Sequence, residues 1–198
     1  METRSATPPP LTEDAGLLDF LGAIIASPKA ELEWVDLLSQ LEYVGCRKIV
    51  KSIGFESVSL EILRHVSEEA SHAYLLKSVV EEGGITGRSW REGRFAEAGW
   101  GYFQDLDRRI SGLPRSDGMR YPAVSWAIER RVLIVYPAYL RLTRNESLKK
   151  ALRRILAQEE RHGAQFAEVP FPDGMAAEIA RIEESLWPEF LAAARRLL

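Results

Sequence analysis

Two short stretches place a glutamate three positions ahead of a histidine: Glu69 and His72 in SEEASH, and Glu159 and His162 in AQEERH. The chain holds only three histidines, so the repeated spacing falls on two of the three. On a helix, residues i and i+3 share a face, with Cβ atoms roughly 5–6 Å apart. A carboxylate and an imidazole so placed can ligate one metal ion from a single helix. Imidazole suits iron, and carboxylate oxygens suit manganese and iron. The plain alternative is a set of surface glutamates beside two capping or core histidines.

The segments that must carry these residues read as helices. From Lys29 to about Ile53, Val35, Leu38, Leu41, Val44 or Gly45, and Ile49 recur at three- to five-residue steps. A second helix is expected from about Val58 to Glu82, stopped by Gly83-Gly84, with Gly54 capping the first and Ser57 starting the second. A third is expected from Tyr121-Pro122 to about Arg144. Asn145 is the expected N-cap of a fourth, Glu146 to Ala167, and a fifth fills about Met175 to Leu198. A short helix fits LTEDAGLLDFLGAIIASP. The long connection 84–120 includes RFAEAGWGYFQDLDRRI, which could be helical although its two glycines weaken that reading. One long crossover between two antiparallel helical hairpins predicts an all-α fold wired as a four-helix bundle, with an additional C-terminal helix. Residues 1–12, with three consecutive prolines, read as a flexible tail, and 13–198 as a single helical domain.

Hairpin register brings further carboxylates in. If the first hairpin turns near Phe55, Glu42 lies 13 residues before the turn and Glu69 lies 14 after it. If the second turns near Arg144, Glu129 lies 15 before and Glu159 lies 15 after. Each Glu-x-x-His then faces a glutamate across its own hairpin. Four carboxylates and two imidazoles result: Glu42, Glu69, His72, Glu129, Glu159 and His162. All fall on apolar stripes, and four buried negative charges demand neutralisation, which two divalent cations would provide. Glu33, Asp36 and Glu56 are out of register with Glu69. Glu68 and Glu160 point about 100° from the motif glutamates, toward solvent or toward a hydrogen bond with a ligand. His65, four residues before Glu69 on the same face, reads as a hydrogen-bond partner of a ligand or as a core histidine. Tyr136, two turns after Glu129, reads as a redox-active or proton-donating phenol or as a core tyrosine. The plainer reading is preferred for both. Gly45, one turn from Glu42, either leaves room beside the metals or lets helices approach closely.

Taken together, Glu42, EASH, Glu129 and EERH resemble the di-iron carboxylate pattern of the ferritin-like superfamily over about residues 30–167. The resemblance implies a ferritin-like four-helix bundle holding two iron ions, or one Mn and one Fe, that activates dioxygen or peroxide. It implies that His72 and His162 each hold one ion, that Glu69 and Glu159 bridge, and that Glu42 and Glu129 are terminal. The lone Cys46 is incompatible with the Cys-x-x-Cys pairs of rubrerythrins, and Ala70 stands where bacterioferritins place a haem-ligating methionine. The layout is most similar to small oxygen-activating members such as the aldehyde-deformylating oxygenases. That implies an oxidase or oxygenase of a small or aliphatic organic substrate, with O2 and an electron-donor protein among its partners. A ferroxidase or iron-handling protein, and a non-redox ferritin-like scaffold, are the alternatives.

Composition narrows the rest. A net charge of −3 argues against a dedicated nucleic-acid binder. No apolar run approaches the ~20 residues of a membrane span. One cysteine allows no internal disulfide and no Cys-based metal site. The N-terminus lacks the apolar core of a secretory signal, so the cytoplasm is the expected compartment. A homodimer is expected, and the crossover reads as a cover on the bundle or as a dimer contact.

Overall fold

Capping chemistry sets most of the helix boundaries. The computed structural model describes residues 11–53, 58–114 and 119–198, apart from the side chains at 166 and 167. Seven α-helices and no strand occur among the described residues. Helix α1 (Ala15–Ile25) starts behind Asp14, whose carboxylate accepts from the Leu17 N–H at 2.7 Å. Helix α2 (Pro28–Ser52) opens with Pro28, where a missing N–H costs no intrahelical bond, and the Ser27 hydroxyl accepts from Ala30. Helix α3 (Leu60–Glu82) is capped by Ser59, whose hydroxyl accepts from Ile62. The expected caps Gly54 and Ser57 lie outside the described residues, as does most of the expected tail 1–12. Helix α4 (Ala96–Ser111) lies within the long connection. Helix α5 (Arg120–Leu142) begins one residue earlier than expected, which leaves Pro122 in the first turn. Helix α6 (Glu146–Ala167) is capped by Asn145 as expected, its side chain accepting from Leu148 at 3.0 Å. Helix α7 (Met175–Arg195) follows Gly174, whose φ of 79° is accessible at little cost only without a side chain.

Four of these helices share one interior. α2 and α3 run in opposite directions, with Ser39 donating to the Ala73 carbonyl and Cys46 to that of Val66. A three-residue turn folds α6 back along α5. Across the hairpins, α3 meets α6 through Glu68–His162 and His72–Gln158. α2 meets α5 through Glu31–Thr143 and Glu42–Tyr136. α1, α4 and α7 cover the α2/α5 side. Trp34 sits at their junction, its ring 4.8 Å from Phe20, 5.6 Å from Phe95 and 5.9 Å from Phe190 between centroids.

The long connection is anchored rather than draped. Gly99 lets α4 approach α2, since a Cβ there would lie 2.5 Å from Leu37. Upstream of α4, Asp36 pairs with Lys77 at 2.8 Å and Arg88 at 3.2 Å, while Glu33 pairs with Arg94 at 2.7 Å. Both acids are buried, and a buried charge of this kind requires a partner. Arg88 and Arg94 tie Glu33 and Asp36 to the connection, and Lys77 ties Asp36 to α3. Among the described residues, no helix is long and apolar enough to cross a membrane.

Candidate metal centre

The six residues singled out by spacing and register converge, and His65 joins them. α2 contributes Glu42, α3 contributes His65, Glu69 and His72, α5 contributes Glu129, and α6 contributes Glu159 and His162. Their ligand atoms form two overlapping groups, His65–Glu69–Glu129–His162 and Glu42–Glu69–His72–Glu159, each spanning no more than 4.8 Å. All are buried except His65, which is 12% exposed at its side chain. These buried carboxylate and imidazole groups lie at ligand distance and could hold a metal ion.

Both fully buried histidines turn the same nitrogen inward. Nδ1 of His72 lies 2.9 Å from Glu159 Oε1 and 3.5 Å from Glu42 Oε2. Nδ1 of His162 lies 3.2 Å from Glu159 Oε2 and 3.6 Å from Glu69 Oε1. Glu159 therefore offers one oxygen to each ring. The outer nitrogens are held from the opposite hairpin: His72 Nε2 by Gln158 Oε1, and His162 Nε2 by Glu68 Oε2, both at 2.8 Å. An amide oxygen can only accept, so His72 carries a proton on Nε2, and with the ring neutral its Nδ1 lone pair faces the carboxylates. Glu68 is in turn gripped by Arg161 at 2.6 Å. Burial pushes the Glu68 carboxyl up, but His162 and Arg161 outweigh it and hold the group below its ordinary range. Glu160, its counterpart beside Glu159, is exposed. Glu56 lies outside the described residues. The Tyr136 hydroxyl donates to Glu42 in a short hydrogen bond. The space beside Gly45 is filled by Glu69, since a Cβ there would lie 2.5 Å from Oε2.

The electrostatics set this cluster apart from the chain's other buried acids. Glu33 and Asp36 have lysine or arginine partners, Glu183 has Arg131, and the isolated Glu31 is held by the Thr143 hydroxyl. Among the described residues, the ion pairs of Glu42, Glu69 and Glu159 are with histidines alone. Protons fill the role of a cation in the metal-free chain. Burial pushes Glu69 up to about 7, opposed by His65 and reinforced by Glu42 and Glu159. Burial, with Glu159 beside it, drives Glu129 far above the ordinary carboxyl range. Burial resists charge on His72, yet Glu159 and Glu42 prevail and push it up to about 11. Glu129 Oε2 has no hydrogen-bond partner, and His72 Nδ1 meets Glu159 as a charge pair without hydrogen-bond geometry. Unpartnered buried groups are costly, and because the two lie in different ligand groups, one cation in each would satisfy them.

An apolar cavity opens directly on the cluster. Its volume is about 100 Å³, and it lies between α2 and α5. Glu42, His65, Glu69, Glu129 and Glu159 form part of its wall, and Leu38, Leu41, Ile49, Val124, Ile128 and Val135 form much of the rest.

From sequence alone, His65 and Tyr136 favour the plainer core roles, and Gln158 carries no signal of its own. The missed signal was a five-residue repeat, Glu68-Glu69-x-x-His72 and Gln158-Glu159-x-x-His162, in which the first residue of each motif holds the histidine of the other. Comparison of the chain with protein-family models, curated proteins and solved structures found no match.

Proposed function

We propose that α2, α3, α5 and α6 form a ferritin-like four-helix bundle holding two metal ions, Fe with Fe or Mn with Fe. On this reading the chain is an oxidase or oxygenase of a small or aliphatic organic substrate. The observation that carries it is the convergence of four buried carboxylates and three imidazoles, with no lysine or arginine in either ligand group, beside a largely apolar cavity that the four carboxylates and His65 help to line. The donor set is nitrogen and oxygen only, which suits iron and manganese.

When bound, the ions would supply the activation of dioxygen or peroxide. The residues of the chain supply position and environment. Glu159 reaches both inward-facing imidazoles and Glu69 belongs to both ligand groups, so these two would be the carboxylates held in common by the ions, as the resemblance implies. Glu42 and Glu129 lie in different groups, and each would hold one ion. Gln158 and Glu68 fix the two rings. Tyr136 holds a proton against Glu42, ready to follow a carboxylate that changes its position. The apolar walls exclude water and align an aliphatic substrate beside the cluster. That lining favours an organic substrate over an iron-handling role, in which ions themselves would have to traverse the cavity.

The test is reconstitution of metal-free protein with Fe(II) under argon, followed by exposure to O2. Two ions retained per chain and O2 consumption above buffer are the expected results, with both lost in E159Q. Retention of no metal would overturn the proposal, and so would a cage-sized particle on gel filtration, many times the 22.3 kDa chain.

A further inference from the structure

The seven candidate ligands are shared unequally. One group sets two imidazoles, His65 and His162, with two carboxylates, Glu69 and Glu129. The other sets one imidazole, His72, with three carboxylates, Glu42, Glu69 and Glu159. Glu69 belongs to both groups and Glu159 offers one oxygen to each inward-facing ring, so the halves carry similar negative charge and the imidazole count, two against one, is what separates them. The backing of the rings tilts the same way. His162 is held by a carboxylate, Glu68, which makes its inward nitrogen a stronger donor, whereas His72 is held by the neutral amide of Gln158. The rings of His65 and His162 lie 4.1 Å apart between centroids, so the second imidazole of the first group arrives from α3 against a ring on α6.

Building on the two-ion reading above, we propose that His65 is a metal ligand that makes the two halves chemically inequivalent. The His65/His162 half takes the ion that prefers imidazole, such as Zn(II), Co(II) or Fe(II). The Glu42/His72/Glu159 half takes the harder, oxygen-preferring ion, such as Mn(II). Without His65 each half would own one histidine, and the pseudo-twofold relation between the hairpins would leave little to separate them. With it, a mixed pair of ions is sorted by position.

Crystals of the full chain, loaded with one equivalent of Zn(II) and an excess of Mn(II), test this by anomalous scattering at both absorption edges. The expected result is zinc beside His65 and His162 and manganese beside Glu42 and His72. In H65A and H65Q, zinc should divide between the halves, and Zn(II) affinity by chelator competition should fall about tenfold or more. Zinc spread evenly in the unmodified chain, or zinc in the carboxylate-rich half, overturns this inference and leaves the two-ion reading standing. If neither metal binds, the two-ion reading itself falls, and this inference with it.

Discussion

The outer ring nitrogen of His162 meets a carboxylate oxygen of Glu68 at 2.8 Å across the gap between α6 and α3. The reverse crossing is made by His72 and Gln158 at the same distance. In each motif the residue four positions before one histidine holds the other histidine, so each hairpin orients the ring of its neighbour. A partner on the outer nitrogen fixes the tautomer and strengthens the inner one, and losing such a partner typically costs 10–100-fold in metal affinity. Gln158→Ala and Glu68→Ala should each weaken metal binding by about that factor, measured by competition with a chelator, while circular dichroism stays unchanged. Full affinity in both variants would mean that packing alone sets the rings.

Gly45 and Glu69 occupy one space. A methyl group at position 45 would stand 2.5 Å from Glu69 Oε2, and the carboxylate, as the free end of a flexible side chain, is what must move. The helix itself should gain, because alanine is favoured over glycine in a helix interior by up to ~1 kcal/mol. Gly45→Ala is therefore expected to melt at the same temperature or higher without metal, and to lose most of the rise in melting temperature that added metal produces. An unchanged metal-induced rise would refute the idea that Glu69 has to lie against Gly45.

The metal-free protein should lose stability as pH rises. Glu69, pushed up to about 7 by burial, binds its proton more tightly folded than unfolded, so stability falls as pH climbs from the ordinary carboxyl range through about 7. His72 is also raised, to about 11, because Glu159 and Glu42 overcome its burial. Its contribution is complete below the ordinary imidazole value near 6.5 and is lost as pH rises through about 11. Glu159 works in the opposite sense. Burial pushes it up, but His162 and His72 hold it below its usual range, so its contribution is lost only as the solution becomes strongly acidic. Urea midpoints at pH 5 and pH 9 check the sum: the metal-free chain should be more resistant at pH 5. Metal displaces the same protons, so its affinity should rise with pH. A metal-free midpoint that climbs from pH 5 to 9 would contradict this account.

Helices α2, α3, α5, α6 and α7 are legible in the sequence because apolar periodicity and capping residues agree there. α4 is harder to read because Gly99 serves a tertiary need, the close approach to Leu37, at the expense of local propensity. The convergence of Glu42, Glu69, His72, Glu129, Glu159 and His162 follows from hairpin register, since side chains equidistant from a turn face each other. His65 could not be settled that way: a core histidine and a ligand occupy the same helix face, and only its approach to His162 separates them. The pairing of Arg131 with Glu183 left no local trace, because it depends on where α7 docks against α5.

That last pair braces the cavity beside the cluster. Arg131 donates from Nε and Nη2 to the two oxygens of Glu183 at 2.8 and 2.6 Å, and the Tyr102 hydroxyl adds a third bond at 2.6 Å. The guanidinium also lies 4.4 Å from the centre of the Trp187 ring. Three helices, α4, α5 and α7, are thus tied together beneath the surface. Arg131→Met leaves Glu183 buried and without its cation, a change that typically costs about 3–5 kcal/mol. Replacing both charges, R131M with E183L, should recover most of that loss, because a well-packed apolar pair is often as stable as a buried ion pair. Urea denaturation of the single and double variants measures both quantities. A double variant no more stable than the single one would show that the geometry of the pair, and not the stranded charge of Glu183, is what holds α7 in place.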